Sequence, residues 1–333
     1  MGYRLNRRAA FGLGTVVAAS SVLGSTPALA QEEDISPPTA DRARARVKRV
    51  YDSAIQDAGG TWNAHISVAD GVAVEHGSDD VVEAYSVNKV AAAVAVLDKI
   101  DRGEAKITDQ VEVPEDIVIK TGDGVIPLDR AYPSVFTVGH ILSLFLTVSD
   151  DTCVRLSGLV CAPVEINATM VAKGFPNTQV IPSASNPRRY FLGKTTPRET
   201  HGILQGIVKG TLLSPTSTDH ILNVLRAQAA FTDGIRRNMS SIDRSRVATK
   251  AGWLNDGRNE AGVMFDKAGK PVLTYALFAR GLPEHAPDFG GTHPFREAAA
   301  RMGPKFLRAV DKISGDPAAR TLRTQSYQPS NGG

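Results

Sequence analysis

Residues 81–100 read VVEAYSVNKVAAAVAVLDKI, and this stretch decides how the chain folds. The run from Val90 to Ile100 is rich in alanine and valine on every side, which predicts a helix buried in the core. Ser86 and Lys89 stand at the start of that helix, and their spacing of one turn places both side chains on the same face. A serine hydroxyl becomes a nucleophile when a base accepts its proton, and a buried lysine amine can be that base.

Two later motifs favour a catalytic interpretation of this pair. Alone, the pair also fits a helix-capping serine followed by a surface lysine. Ser149-Asp150-Asp151 lies between two predicted helices, and Lys250-Ala251-Gly252-Trp253 ends a predicted strand. The order is therefore S-x-x-K, S-D-x and K-x-G, with intervals of 63 and 101 residues. Each motif falls on a fitting element: a helix start, an inter-helix loop and a late strand. Their order and spacing shift the balance toward a shared site.

These three motifs mark class A β-lactamases and penicillin-binding proteins. The sequence resembles this family of penicillin-recognising serine hydrolases. The stretches LGKTTPRETHGIL (192–204) and ATKAGWLNDGRNEAGVMF (248–265) extend the resemblance, which runs from about residue 40 to 312. It implies an acyl-enzyme formed on the serine of the first motif.

The resemblance also implies a role for each matched residue. Ser86 attacks a carbonyl, Lys89 activates it, Ser149 passes a proton to the leaving nitrogen, and Lys250 holds that hydroxyl network. The oxyanion hole consists of the backbone N–H groups of Ser86 and Trp253. The remaining substrate-binding positions are Gly252, Asp151 and Arg258. Arg258 matches a clamp for a substrate carboxylate, and an exposed arginine at a strand end is the equal alternative.

The sequence departs from the family pattern in three places. Asp151 replaces the usual asparagine and adds a carboxylate close to Lys89. Ala251 replaces a threonine or serine whose hydroxyl meets the substrate carboxylate. The stretch TQVIPSASNPRRYFLG (178–193), where class A enzymes carry the water-activating glutamate, contains no acidic residue. Glu165 and Glu199, on either side, are expected to have surface and helix-start roles.

Hydrophobic periodicity predicts an α+β sandwich. Strands lie near both chain ends, and the order suits an antiparallel sheet flanked by helices, with an all-helical insertion over about 86–228. Gly174 to Thr196 reads as a long irregular stretch. Beyond the leader, the chain is predicted to comprise a linker at 31–38, a catalytic domain over 39–312 and a polar tail at 313–333.

The first thirty residues are predicted to be a signal peptide. Arg7 and Arg8 precede an apolar run, and Ala28-Leu29-Ala30 offers a cleavage site after Ala30. The adjacent arginines suit twin-arginine export, although an ordinary secretory leader fits too. The leader's three arginines account for the whole-chain charge of +3, so the mature chain has no net charge. We therefore expect a secreted protein without a nucleic-acid surface or a stable membrane span.

The histidines and cysteines bear on whether the chain binds a metal or forms a disulfide. The histidines are scattered and no paired metal-ligand spacing occurs, so we expect no metal and no cofactor. Cys153 and Cys161 can pair in an oxidising compartment, but buried free thiols are equally compatible with their spacing. We expect a monomer that acts on a small β-lactam or an acyl-D-Ala-like substrate.

Three functions remain open from the sequence. The first is β-lactam hydrolysis, with antibiotic resistance as its consequence. The second is a D,D-peptidase or an esterase on the same scaffold. The third is a β-lactam-binding protein that stays acylated.

Overall fold

The computed structural model describes residues 40–229, 234–254, 257–282 and 293–314. The predicted leader (1–30) and linker (31–38) lie outside the described residues, as does the tail beyond residue 314. Within the described residues, the α-helices, numbered α1 to α10 in chain order, are Ala40–Ala58, Lys89–Asp101, Ile126–Asp129, Val138–Thr147, Thr152–Val160, Pro163–Ala172, Pro197–Val208, Pro215–Arg226, Ser241–Arg244 and Pro294–Ile313.

The strands of the described residues are numbered in the same way. They are, for β1 to β10, Thr61–Val68, Gly71–His76, Val82–Glu83, Gln110–Val113, Ser134–Thr137, Gln179–Ser183, Asn186–Thr195, Val247–Leu254, Gly257–Phe265 and Pro271–Arg280. Two short 3-10 helices complete the set, at Tyr85–Asn88 and Glu115–Ile117.

Five strands form the central antiparallel sheet, in the order β2-β1-β10-β9-β8. Helices α1 and α10 pack together and against this sheet, whereas α7 and α8 contact β10 and β8. Because helices cover both faces, every residue of β9 is buried, and the strand lacks the alternation of a half-exposed sheet. The predicted α+β class, with a sheet assembled from both chain ends, is confirmed.

Helix α2 runs through the middle of a second core, formed by the helices between the two halves of the sheet. Its residues from Lys89 to Leu97 are all buried. Small alanine and valine side chains permit this, because neighbouring helices can approach the backbone from every side. The predicted buried helix is confirmed, and it places Lys89 inside the protein.

The predicted all-helical insertion needs correction. Strands β4 and β5 pair within it, and β6 and β7 form a hairpin that β3 extends to a three-stranded sheet. The prediction of an irregular stretch from Gly174 to Thr196 is therefore wrong. Tyr190 and Thr195 are buried while Phe191 is exposed, because one face of the hairpin packs against the helical core.

The described residues contain no single helix that is long and apolar enough to cross a membrane. Helices α5 and α6 reach that length and composition only together, and they meet at an angle of 74°. Groups of three or more metal-ligating side chains are also absent from the described part of the chain.

Candidate active site

A strained turn presents Ser86. Tyr85 has a positive φ of 47°, and the 3-10 helix that follows leads directly into α2 at Lys89. A non-glycine residue in this conformation costs about 1–3 kcal/mol, and such strain concentrates at functional sites. The sequence predicted Ser86 at the start of the buried helix, and the structure places it one turn earlier, in the 3-10 segment.

Strand β7 holds this turn in place through its backbone. Asn88 donates from Nδ2 to the carbonyl oxygens of Leu192 and Lys194, at 2.7 and 3.0 Å. The Ala84 N–H donates to the carbonyl of Gly193 at 3.0 Å. The hairpin therefore supports the Ser86 turn from one side with main-chain acceptors. Sequence reasoning did not single out Asn88, although a polar residue inside an apolar helix start was a usable signal.

Lys89, Ser149 and Lys250 meet in the interior. The Ser149 hydroxyl lies 3.0 Å from Lys89 Nζ and 3.1 Å from Lys250 Nζ. Both lysines are fully buried, and Ser149 is 1% exposed. Ser149 has a positive φ of 56°, which turns the inter-helix loop toward the two amines. The structure thus unites residues from all three predicted motifs around one hydroxyl.

The two amines have different surroundings. Lys89 donates to the carbonyl of Ser149 at 2.5 Å and to Asp151 Oδ1 at 2.9 Å, so it has a carboxylate partner. Lys250 donates to the carbonyl of Ala251 at 2.7 Å. Burial, reinforced by repulsion from Lys89, holds the pKa of Lys250 well below its usual range. Lys250 is therefore disposed to accept a proton.

Asp150 and Asp151 fasten the second motif to the loop before α3. Asp150 Oδ2 accepts from the N–H groups of Val125 and Ile126, at 2.7 and 2.8 Å. Asp151 Oδ2 accepts from the Asp123 N–H at 3.1 Å, and the Asp151 N–H donates to the carbonyl of Asp123 at 2.9 Å. The prediction that Asp151 lies close to Lys89 is confirmed.

Strand β8 forms the other wall beside Ser86. A Cβ at Gly252 would lie only 2.5 Å from the Ser86 backbone nitrogen, so no side chain fits there. Trp253 follows directly, which places its backbone next to the Ser86 turn. The geometry brings together the two residues whose N–H groups were predicted to form the oxyanion hole.

Arg258 lies opposite Trp253 on the neighbouring strand. Its guanidinium carbon stacks 4.8 Å above the Trp253 ring, and Nη1 donates to the carbonyl of Gly257 at 3.0 Å. Because Arg258 is only 7% exposed, the alternative of an exposed strand-end arginine is wrong. The carboxylate clamp stays a prediction.

The two glutamates beside the hairpin have structural roles. Glu165 pairs with Lys99 at 2.8 Å and caps α6 through the Ala162 N–H. Glu199 accepts from Asn177 and from Thr178 Oγ1 at the start of α7. Both carboxylates are thus held by partners outside the Lys89–Ser149–Lys250 cluster, as the sequence predicted.

Sequence reasoning missed Asp123, which lies between Gly122 and Gly124 in the loop before α3. Burial and the nearby Asp151 carboxylate raise the pKa of its carboxyl group, whereas Lys89, Lys250 and a hydrogen bond with the Trp253 side chain lower it. Its neighbours thus come from both walls of the site. A lone acid flanked by glycines was the available signal.

Cys153 and Cys161 are both buried and unpaired. Burial raises the pKa of each thiol, that of Cys161 to about 12. Neither thiol is therefore disposed to ionise as a nucleophile near neutral pH. This geometry resolves the choice that the spacing left open, in favour of free thiols.

A model of the Beta-lactamase enzyme family matches residues 42–301. The chain belongs to this family. A "Beta-lactamase" from Streptomyces cellulosae is 24% identical over 293 residues, covering 82% of this chain and 88% of that protein. The predicted resemblance is thereby confirmed, and membership of a β-lactamase family indicates a hydrolase with a small β-lactam substrate.

Solved structures of β-lactamases share the fold. A β-lactamase from Sphaerobacter thermophilus DSM 20745 aligns with a TM-score of 0.67 at 23% identity, covering 80% of this chain and 96% of that one. A class A β-lactamase from Bacteroides cellulosilyticus DSM 14838 aligns at 0.66 and 17% identity, with 82% and 99% covered. At these identities the likeness concerns the fold, and the role of each side chain rests on its geometry.

Proposed function

We propose that this β-lactamase family member is an exported serine hydrolase that opens β-lactam rings through an acyl-enzyme on Ser86. One observation carries the proposal: the Ser149 hydroxyl lies 3.0 and 3.1 Å from the buried amines of Lys89 and Lys250. Burying an amine costs free energy unless the amine is paired or neutral, and such perturbed groups are concentrated at functional sites. This arrangement suits proton delivery to a leaving nitrogen.

Acylation would proceed by addition of Ser86 to the lactam carbonyl, followed by loss of the ring nitrogen from that carbon. Ser86 Oγ attacks the lactam carbonyl carbon and gives its proton to Lys89, directly or through Ser149. The backbone N–H groups of Ser86 and Trp253 stabilise the oxyanion. As the C–N bond breaks, Ser149 passes a proton to the lactam nitrogen and is reprotonated from the lysines.

The strand wall would hold the substrate. Gly252 lets strand β8 approach the Ser86 turn closely, so the backbone of this strand is available to a ligand beside Ser86. Ala251 supplies no hydroxyl to a substrate carboxylate, which leaves Arg258 and the lysines as the nearby positive charges. The support for export is the arginine-containing leader that ends at Ala30.

Intact-protein mass spectrometry tests the proposal. The mature protein is exposed to benzylpenicillin, and nitrocefin hydrolysis is followed in parallel. We expect a mass increase of one penicillin on the native chain and none on Ser86→Ala. An adduct on Ser86→Ala, or no adduct and no hydrolysis on the native chain at any pH, would contradict it.

A second candidate is a D,D-peptidase or an esterase using the same Ser86 chemistry. The specific observation that favours it is Ala251, together with the absence of acidic residues from 178–193. The structure of a PBP-A mutant in an acyl-enzyme complex with penicillin G aligns at a TM-score of 0.64 and 17% identity, covering 82% of this chain and 98% of that one. A panel of esters and a D-Ala-D-Ala peptide separates the two, because faster turnover of either than of nitrocefin would favour this candidate.

A third candidate is a protein that remains acylated. The same missing acid motivates it. A penicillin adduct that persists for hours would favour such a trap, and rapid return of the free mass would exclude it.

A further inference from the structure

The loop over residues 121–125 is held against the second motif by its backbone. Asp123 exchanges two hydrogen bonds with Asp151, one in each direction. A Cβ at Gly122 would lie 2.7 Å from Asp151 Oδ2, and one at Gly124 would overlap the Asp150 carboxyl group. Only glycines allow this approach, so the position of Asp123 is fixed relative to Lys89.

The Asp123 side chain lies among groups from three different elements of the site. Its carboxyl group interacts with Lys89 of α2, with Asp151 at the start of α5, and with Lys250 and Trp253 of β8. Trp253 follows Gly252, whose backbone closely approaches that of Ser86, so the Asp123 carboxyl group lies beside the strand wall next to the Ser86 turn.

The other two aspartates of this cluster already accept hydrogen bonds that hold the site together. Asp151 uses one oxygen for Lys89 and the other for the Asp123 N–H. Asp150 is fully buried and receives three backbone N–H groups. Asp123 is half-buried, so water can reach it. Among these three carboxylates, it alone combines access to solvent with side-chain oxygens that hold no backbone N–H group.

We propose that the Asp123 carboxylate accepts the proton from the water that hydrolyses the Ser86 acyl-enzyme, a role for which segment 178–193 has no acid. This inference rests on the proposed acylation of Ser86. The water oxygen bonds to the ester carbonyl carbon, and one water proton moves to Asp123. When the bond from that carbon to Ser86 Oγ breaks, Lys89 takes the proton from Asp123 and passes a proton to Oγ, so Ser86 regains its hydroxyl and both groups return to their starting charges. The acid product gives its proton to solvent.

The electrostatics suit this role. A carboxyl group whose pKa lies above the ordinary range for aspartate is a stronger base in its ionised form. Burial and Asp151 supply the increase, while Lys89 and Lys250 keep an ionised fraction. Hydrolysis of the acyl-enzyme should therefore accelerate as pH rises through this ionisation.

The test separates acylation from deacylation. Benzylpenicillin is added in a single-turnover experiment, and the adduct mass is followed over time in the native chain, Asp123→Asn and the control Asp129→Asn. Asp129 is an exposed aspartate six residues further along. We expect Asp123→Asn to form the adduct within about threefold of the native rate and to lose it about 10²–10⁴ times more slowly. Asp129→Asn should match the native chain.

The pH profile adds a second readout that a merely structural role would not change. The deacylation rate of the native chain should rise with pH and then level off, and Asp123→Asn should lose this dependence. Trp253→Phe removes a hydrogen bond that lowers the pKa of Asp123, so its profile should move to higher pH.

Three results would overturn the inference. Unchanged deacylation in Asp123→Asn would remove Asp123 from the step while leaving Ser86 acylation intact. A native adduct that persists for hours would show that no water is activated. Failure of the native chain to form any adduct would overturn the proposed function together with this inference.

Discussion

On one side of Ser86, side chains dominate: two buried lysines surround the Ser149 hydroxyl. On the other side, strand β7 contributes main-chain carbonyls, which receive the Asn88 side chain and the Ala84 N–H. The first region is sensitive to the identity of its side chains. The second is sensitive to the path of its backbone, so most side-chain changes there should be tolerated.

The largest effect is expected from Lys250→Met. Methionine has a similar length and suits a buried position, but it cannot exchange a proton with Ser149. Ser86 acylation by a fluorescent penicillin, measured by stopped flow, should slow by about 10²–10⁴. Lys194→Met, an exposed lysine of β7 in the other region, should leave the rate within about twofold. Equal losses in both variants would break the comparison.

A backbone change in the hairpin should come next. Gly193 has a φ of +68°, and a Cβ there would overlap the Gln179 carbonyl oxygen. Gly193→Ala should therefore cost about 1–2 kcal/mol for the left-handed conformation, with a clash of about 1–3 kcal/mol added. Acylation should also slow, because the Gly193 carbonyl holds the Ala84 N–H.

The matched control is Gly210→Ala. Gly210 has a similar φ of +65°, and a Cβ there meets no atom within 4 Å. Urea unfolding should show the conformational cost alone, with native acylation. If the two variants lose the same free energy of unfolding, the close approach at Gly193 does not hold the hairpin.

Two buried histidines outside the site should make the stability of the protein sensitive to acid. His201 and His65 are buried with their rings 4.6 Å apart, and they bond to Ser67 and Ser78. Burial lowers both pKa values, that of His201 to about 3. Below the ordinary value of 6.5, the unfolded chain binds protons that the folded protein excludes. The free energy of unfolding should thus fall as pH drops from about 6.5 toward 3.

The slope should approach about 1.4 kcal/mol per pH unit for His201, and His65 should add to it in the same direction. Urea unfolding at several pH values measures it, and His201→Gln should flatten it while acylation at neutral pH stays native. A slope that is unchanged in His201→Gln would assign the acid sensitivity to other groups.

The smallest effect is expected from Phe191→Ala. Phe191 is 66% exposed on β7, so its loss should change the free energy of unfolding by less than about 0.5 kcal/mol. Its neighbour Tyr190 is 6% exposed and bonds to Ser157, so Tyr190→Ala should cost about 3–5 kcal/mol. Thermal unfolding checks both, and a larger loss in Phe191→Ala would mean that this face is covered.

Local signals predicted much of the fold. Helix α10 spans Pro294–Ile313, and its first-turn proline and continuous apolar face mark it locally in the sequence. The β6–β7 hairpin was missed because Pro182, Ser183 and Ser185 interrupt the strand pattern of its first strand and turn. Tyr190, Phe191 and Leu192 are all apolar, so the sequence does not show which face is buried, and the helical core that selects between the faces is distant in sequence.

The sequence predicted those site residues that belong to recognisable motifs and missed one that does not. Lys89, Ser149 and Lys250 come from three motifs whose order and spacing are visible in the chain. Asp123 belongs to none of them, and its neighbours come from α2, α5 and β8, which are far apart in the sequence. Such a carboxylate becomes evident only when tertiary structure shows which charges surround it.

The close approach of Gly252 to the Ser86 nitrogen divides the strand wall into a position that accepts a side chain and one that does not. Any side chain at residue 252 would displace the backbone at Ser86, so mutational libraries should retain glycine there. Ala251, one residue earlier, is half-buried and carries the smallest side chain that a strand accommodates easily. Along this wall, residue 251 can therefore change to suit a new substrate, whereas its neighbour Gly252 cannot.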